Sequence, residues 1–212
     1  MEELDLLKKA WQKDSHSYEQ ISESEIYKML YKKSYSIVKW ILIISIIEVL
    51  FWTAISVAYN TDEYMKKLHA ENMIVYFKAL NFVNYAVILL FILNFYKNYI
   101  KISTTASTKQ LMQDILRTRK TVKYYVWYNM GMIVVSLIAG FVIAFAYNPK
   151  MEMLKSKIAS ESNYYTLCIT IGIMLLTIVV FVSLFWLFYR LLYGILLRKL
   201  NANYKELKKI DL

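Results

Sequence analysis

Residues Ile37 to Tyr59 read IVKWILIISIIEVLFWTAISVAY, and this run decides the fold class. About 20 apolar residues, each rising ~1.5 Å along a helix, cover the ~30 Å hydrocarbon core of a bilayer, so the run is long enough to span a membrane. Lys39 and Glu48 are its only charged residues. The stem of Lys39 can extend back to the headgroups. Glu48 lies at the centre, where a carboxyl group is costly in lipid, so we expect it to face protein or water.

The composition of the whole chain agrees with long helices in a membrane. Of its 212 residues, 58% are apolar or aromatic, and only four are glycine and one is proline. Few glycines and prolines favour long helices over tight turns. The single cysteine, Cys168, excludes an internal disulfide and a Cys-based zinc site. The first 35 residues are polar and charged, so we expect no cleavable signal peptide.

Three further apolar runs predict three more spans, at residues 74–96, 125–147 and 164–197. The last run is too long for one crossing and should emerge from the membrane. We therefore predict an all-α polytopic membrane protein, an antiparallel bundle of four transmembrane helices with cytoplasmic helical extensions. The connections at residues 60–71 and 148–163 are polar and are predicted to be loops.

Lysine and arginine are distributed unevenly along the chain. Twenty of them precede or begin the first run, lie between the second and third, or lie at the C-terminal end, and six lie in the other two connections. The positive-inside rule then places both termini and the central segment in the cytoplasm, which assigns the chain to the inner membrane. The same asymmetry accounts for the net charge of +10, so we expect no nucleic-acid partner. Aromatic residues typical of the headgroup region, including Trp127, Trp186 and Tyr189, cluster at the predicted inner surface.

This orientation divides the chain into three regions. We predict cytoplasmic N-terminal helices at residues 1–35, the transmembrane region at 36–197 with a cytoplasmic helical segment at 97–124, and a cytoplasmic tail at 198–212. Ser22 and Glu25 fit a capping box, so one helix should start there and continue into the first span.

Two helical stripes of apolar residues form a candidate docking face in the cytoplasmic parts. Their residues are Leu4, Leu7 and Trp11 near the N-terminus and Leu111, Ile115 and Val122 in the central segment. Each spacing is typical of one face of a helix. The first stripe fits packing on a helix of the same chain, on the membrane surface or on a partner. The second fits packing on the first or on another copy of the chain.

The midpoints of the predicted spans carry one polar side chain each, namely Glu48, Asn84, Ser136 and Thr177. Polar groups in hydrocarbon need partners on neighbouring helices, so we interpret these residues as a structural layer in which Glu48 bonds to Asn84. A proton or ion relay is the alternative, although a relay normally needs several ionisable groups along a path.

The juxtamembrane stretch RTRKTVK carries a candidate patch for anionic lipid headgroups, formed by Arg117, Arg119, Lys120 and Lys123. The sequence contains no zinc-protease motif, nucleophile elbow, phosphate-binding loop or dinucleotide fingerprint. We therefore expect no catalytic residues, no cofactor and no metal site.

Three segments resemble a known family. They are ELDLLKKAWQK (residues 3–13), KKSYSIVKWILIISIIEVLFW (residues 32–52) and TKQLMQDILRTRKTVKYY (residues 108–125), which together cover about a quarter of the chain. They are similar to an uncharacterised bacterial family of small four-span integral membrane proteins. Some proteins of that kind are labelled carotene-cleaving monooxygenases, but iron-dependent carotenoid oxygenases use four histidine ligands and this chain has only His16 and His69.

Two hypotheses on function follow from these patterns. The first is a non-enzymatic integral membrane protein whose cytoplasmic helices dock a cytoplasmic protein or another copy of the chain, for example as a membrane-anchored regulator. The alternative is a small transporter or lipid-handling protein that uses the polar layer around Glu48. Membrane lipid is an expected partner in both.

Overall fold

Within the part of the chain that the structure describes, all regular secondary structure is helical. This computed structural model describes residues 22–59, 61–105, 107–160 and 164–210. Its four long helices are α1 (Glu23–Ala58), α3 (Glu71–Thr104), α4 (Thr108–Tyr147) and α6 (Tyr164–Ile210). The connections contain α2 (Thr61–Lys67) and α5 (Glu152–Ser160), and a 3₁₀ turn at Pro149–Met151 precedes α5.

Each of the four long helices contains a segment that is long and apolar enough to cross a membrane. This confirms the all-α class and the number of candidate spans. Both α1 and α6 run without a break past residues 35 and 197, where region boundaries were predicted. The unbroken α1 confirms the prediction that the helix starting at the Ser22 capping box continues into the first apolar run. Residues Leu4, Leu7 and Trp11, the first half of the candidate docking face, lie outside the described residues.

The start of α1 is the predicted capping box. The Glu25 backbone N–H donates to Ser22 Oγ at 3.3 Å, and the Ser22 backbone N–H donates to Glu25 Oε2 at 3.0 Å. The two bonds satisfy two N–H groups that the first turn of a helix leaves without intrahelical partners. The Ser22 hydroxyl also donates to Glu25 Oε2, at 3.0 Å. The bonds from the Ser22 backbone N–H and hydroxyl lower the pKa of the Glu25 carboxyl, because they favour its ionised form.

The connection after α1 is a short helix, so the prediction of a loop at residues 60–71 was wrong. A left-handed residue, His69 with φ 55°, ends α2. The Ala70 N–H donates to the Met65 carbonyl and the His69 N–H to the Lys66 carbonyl, both at 3.0 Å, which are the two bonds of a Schellman motif. Residues 152–160 form a second helix in a predicted loop. Neither helix could be recognised from the sequence, because both are polar and too short to show a repeated apolar stripe.

The larger of two buried clusters lies toward one end of the long helices, which we call the packed end and define as residues 23–41, 95–104, 108–125 and 189–210. The smaller one, at the opposite end, consists of Met65, Leu68, Ala70 and Ile143. The larger cluster includes Leu30, Val38, Ile41, Phe95, Ile102, Leu111, Ile115, Val122, Leu200 and Leu207. Beyond the packed end, most large apolar side chains of the four helices are exposed, as at Val57, Phe82 and Ile173. An apolar surface of this extent fits contact with lipid better than contact with water.

Hydrogen bonds join the helices within the packed end. The Tyr31 hydroxyl of α1 donates to the Ser103 carbonyl of α3 at 2.6 Å, and the Asn203 amide of α6 donates to Ser34 Oγ of α1 at 3.0 Å. Ser34 and Asn203 are buried. Because an unpaired polar group is costly in such a place, these bonds also fix which residues of neighbouring helices lie opposite each other.

The second half of the candidate docking face is part of this core, which corrects the prediction. Leu111, Ile115 and Val122 are fully buried and pack against residues of α1, α3 and α6 in the same chain. A stripe with helical spacing fits an internal core face as well as a docking face. The stripe is therefore not available to a partner while the packed end is folded.

Replacing Leu111 with alanine should lower the free energy of unfolding by about 2–5 kcal/mol, because the lost side chain leaves a cavity in the core. Leu116→Ala on the same helix is the matched control, since Leu116 is 43% exposed. The control should change stability by less than about 1 kcal/mol. Thermal unfolding of the detergent-purified variants measures the difference, and equal stabilities would contradict the assignment of the core.

Candidate functional site

Glu48 lies in a cluster of three tyrosines contributed by two other helices. The Tyr125 hydroxyl of α4 donates to Glu48 Oε2 at 2.9 Å, and the Tyr193 hydroxyl of α6 donates to the same oxygen at 3.0 Å. The Tyr189 hydroxyl, also on α6, donates to Glu48 Oε1. The Glu48 residue is 6% exposed and the three tyrosines are 3% exposed or less. As predicted, the carboxyl group faces protein.

The sequence of α6 and the packing of α3 position these phenols. Tyr189 and Tyr193 are one helical turn apart, so both project from the same face, with stacked rings whose centroids are 6.0 Å apart. Phe91 and Phe95 of α3 meet the Tyr125 ring edge to face at 5.5 and 5.4 Å. Such aromatic contacts restrict a ring to one orientation, which here points the hydroxyl of Tyr125 at Glu48.

The chemistry of the cluster is that of a satisfied polar group inside an apolar bundle. Each phenol supplies one O–H donor, and the two carboxyl oxygens supply acceptor sites for all three. Among the described residues, no group of three or more metal-ligating side chains adjoins it or occurs elsewhere. The arrangement joins α1, α4 and α6 and sets the position of each along the others.

Asn84 does not pair with Glu48, which corrects the predicted clasp. Its Oδ1 accepts a hydrogen bond from the Tyr128 hydroxyl of α4 at 3.1 Å. A phenol of α4 reaches Asn84, and phenols of α4 and α6 reach Glu48, because a tyrosine side chain is long enough to bridge neighbouring helices. Glu48 and Asn84 therefore each accept hydrogen bonds, but from different tyrosines.

Ser136 and Thr177 also lie apart from Glu48. The Thr177 hydroxyl donates to its own helix at the Ile173 carbonyl, at 2.8 Å. Ser136 is eleven residues beyond Tyr125 and Thr177 is twelve before Tyr189, which corresponds to about 16 and 18 Å along the helices. The four polar midpoints do not form one layer, because Glu48 is aligned with the ends of the apolar runs of α4 and α6 and not with their centres.

Sequence reasoning missed Tyr125 and Tyr193 and placed Tyr189 at the membrane surface. One signal was available, because Tyr189 and Tyr193 present two donors on one face of an apolar helix. A buried carboxyl group needs donors, and phenols provide them at a low cost in apolar surface. The two tyrosines were not recognised as donors to Glu48, because tyrosine was interpreted as a residue of the headgroup region.

Comparison with known proteins adds a family to this geometry. A family profile matches residues 24–212, nearly nine-tenths of the chain. The chain therefore belongs to the family described as Domain of unknown function (DUF8845). No curated protein and no solved structure matches the chain.

In this member of the DUF8845 family, the four cations of the predicted lipid patch all lie on α4. Arg117 approaches Asp114, with 4.0 Å between nitrogen and oxygen, and the Lys120 ammonium lies 5.8 Å from the centroid of the Tyr124 ring. Arg119 is half-buried, and its Nε is buried without a hydrogen bond to any described residue. Lys123 is exposed and lines a cavity with residues of α6. Arg117, Lys120 and Lys123 follow each other at a spacing of three residues and are exposed, so they lie side by side along α4.

Replacing Glu48 with leucine should lower the free energy of unfolding by about 1–3 kcal/mol, because three buried phenols lose their acceptor. Glu48→Gln keeps one carbonyl oxygen and should be affected less. Adding Tyr125→Phe, Tyr189→Phe and Tyr193→Phe to Glu48→Leu should recover stability, since removal of both partners of a hydrogen bond is close to neutral. Thermal unfolding in detergent measures all three variants, and a Glu48→Leu protein as stable as the wild type would contradict the role of the cluster.

Proposed function

We propose that the chain is a non-enzymatic integral protein of the bacterial inner membrane, anchored by an antiparallel four-helix bundle, whose packed end docks an acidic protein in the cytoplasm. The observation that carries this proposal is the position of the core. Most of the fully buried apolar side chains of the long helices lie at the packed end, and most large apolar side chains along the candidate spans are exposed. A protein that only crossed the membrane would not need a folded extension of this kind.

The lengths of the helices support the same proposal. α6 has 47 residues, which corresponds to about 70 Å and is more than twice the ~30 Å of a hydrocarbon core. α4 has 40 residues and α1 has 36, so each also exceeds one crossing. The excess of α1, α4 and α6 packs together at the packed end and forms a rigid helical platform beside the membrane.

The charge of the packed end indicates the chemistry of the partner. Its described residues include seventeen lysines and arginines against four aspartates and glutamates. The positive-inside rule places such an end in the cytoplasm. A basic surface favours a partner with an acidic face, both in the rate of encounter and in orientation. A membrane-anchored regulator that holds such a partner at the membrane is the role that fits best.

The orientation can be tested with reporter fusions. We expect fusions at Glu71 and Ser156, which lie in the connections with six basic residues, to report the outside of the cell. A fusion at Thr108 should report the cytoplasm. Enzymatic reporters that are active on only one side of the inner membrane make the measurement, and any reversed fusion would contradict the proposed topology.

Docking can be tested by site-specific photo-crosslinking in cells. A photoreactive residue in place of Met29 or Leu116, both exposed at the packed end, should form a covalent complex with a second polypeptide. The same residue in place of Met153, exposed at the opposite end, should form none with that polypeptide. Lys32→Glu with Lys33→Glu should lower the yield severalfold, and Lys66→Glu with Lys67→Glu is the matched control.

Three outcomes would count against docking of a cytoplasmic protein. Absence of any complex from the packed end would reject it, and a complex with another copy of the chain alone would replace the partner by a homo-oligomer.

The third outcome concerns the alternative function as a transporter, which the burial of Glu48 within apolar helices favours. Proton-dependent transport in liposomes that is lost in Glu48→Gln would support that alternative.

A further inference from the structure

An apolar groove of about 470 Å³ lies between α4 and α6 beyond the packed end. Its walls include Val126, Met130 and Val134 of α4 and Val182 of α6, and its floor is widened by the absence of a side chain at Gly131. Such a groove, opening sideways from two apolar helices, has the shape and polarity to hold an acyl chain.

Two tryptophans and two cations lie at one end of this groove. Val126, Trp127 and Trp186 line it and also line an adjoining cavity of about 210 Å³, whose other walls include Lys123 and Arg190. The Arg190 guanidinium lies 4.9 Å from the centroid of the Trp186 ring. Lys123 and Arg190 are both exposed, and neither forms an ion pair with another described residue.

We propose that this groove binds one anionic phospholipid, with its phosphate group between Lys123 and Arg190 and an acyl chain along the groove. The charges are complementary, because a phosphate is the anion for which arginine and lysine are the common ligands in proteins. The tryptophans lie between the charged and apolar parts of the site, and this is where their amphipathic rings are found in membrane proteins.

This site differs from the basic patch that the sequence predicts on α4. It takes only Lys123 from that patch and adds Arg190 from a helix that is about 70 residues away in the chain. A helix from a second copy is a less suitable occupant of the groove, because it would cover two cations for which the described part of the chain supplies no acidic partner. The lipid supplies that partner in its own headgroup.

The groove tryptophans provide a direct measurement of binding. In a variant with Trp11, Trp40 and Trp52 changed to phenylalanine, Trp127 and Trp186 are the only tryptophans left. The full chain is reconstituted in phosphatidylcholine vesicles that contain brominated phosphatidylglycerol or brominated phosphatidylcholine, since bromine quenches tryptophan fluorescence on contact. We expect phosphatidylglycerol to be preferred by about fivefold or more, because each cation near the surface adds roughly a factor of five.

Charge variants separate this site from the general surface charge. Lys123→Gln with Arg190→Gln should reduce the preference to less than about twofold. Arg198→Gln with Lys199→Gln is the matched control, because both residues are exposed on α6 and neither lines the groove. The control should keep the preference of the parent protein.

A steric pair of variants tests the acyl-chain part of the site without a change of charge. Neither Gly131 nor Gly172 has an atom within 4 Å of the position that a Cβ would take, so both accept a side chain. Gly131→Leu should fill the groove and lower quenching by both brominated lipids at least twofold. Gly172→Leu, which lies outside the groove, should leave quenching unchanged.

The proposal is overturned if the two brominated lipids quench equally in the parent protein. It is also overturned if the preference survives the loss of Lys123 and Arg190, or if the Arg198 and Lys199 control loses it as well. If neither brominated lipid quenches the tryptophan fluorescence and Gly131→Cys gives a cross-linked dimer, the groove is assigned to a second copy of the chain.

Discussion

Glu48 accepts hydrogen bonds from Tyr125, Tyr189 and Tyr193, and this one set of contacts determines how three long helices are aligned. A carboxyl group buried among apolar side chains requires donors, and only residues that lie level with it can provide them. The centre of the apolar run of α1 is thereby held against the ends of the runs of α4 and α6. Sliding α6 by one turn, about 5.4 Å, would bring one of Tyr189 and Tyr193 to the position of the other and leave one phenol without its acceptor.

This alignment explains why the larger of the two buried clusters lies mostly at the packed end. On the side of Glu48 toward the termini, all four long helices are present side by side, and residues such as Ile41, Ile102 and Leu200 are buried between them. On the other side, α1 ends at Ala58, whereas α4 continues to Tyr147 and α6 begins at Tyr164. There the short helix α2 contributes Met65 to a smaller buried cluster with Ile143 of α4, while a groove remains between α4 and α6.

Features encoded locally could be predicted from sequence, and features that depend on contacts between distant residues could not. Ser22 and Glu25 are three residues apart, so the capping box could be recognised, and the predicted end of the third apolar run at residue 147 is the end of α4. The stripe of Leu111, Ile115 and Val122 was recognised as helical, but its spacing carries no information on whether the facing helix belongs to the same chain. The partners of Glu48 lie 77 to 145 residues away, so their identity depended on the alignment of helices.

The Glu48 cluster also connects the proposed lipid site with the packed end. Tyr189 and Tyr193 line the cavity that contains Lys123 and Arg190, and the same two residues donate to Glu48. A phospholipid held by Arg190 would restrain the turn of α6 that carries both phenols, and so would favour the arrangement of α1, α4 and α6 on which the packed end depends. Coupling of this kind is reciprocal, so a partner that stabilises the packed end must in turn strengthen lipid binding by the same factor. The two proposed functions would then be one linked equilibrium, in which the lipid composition of the membrane sets the affinity for the partner.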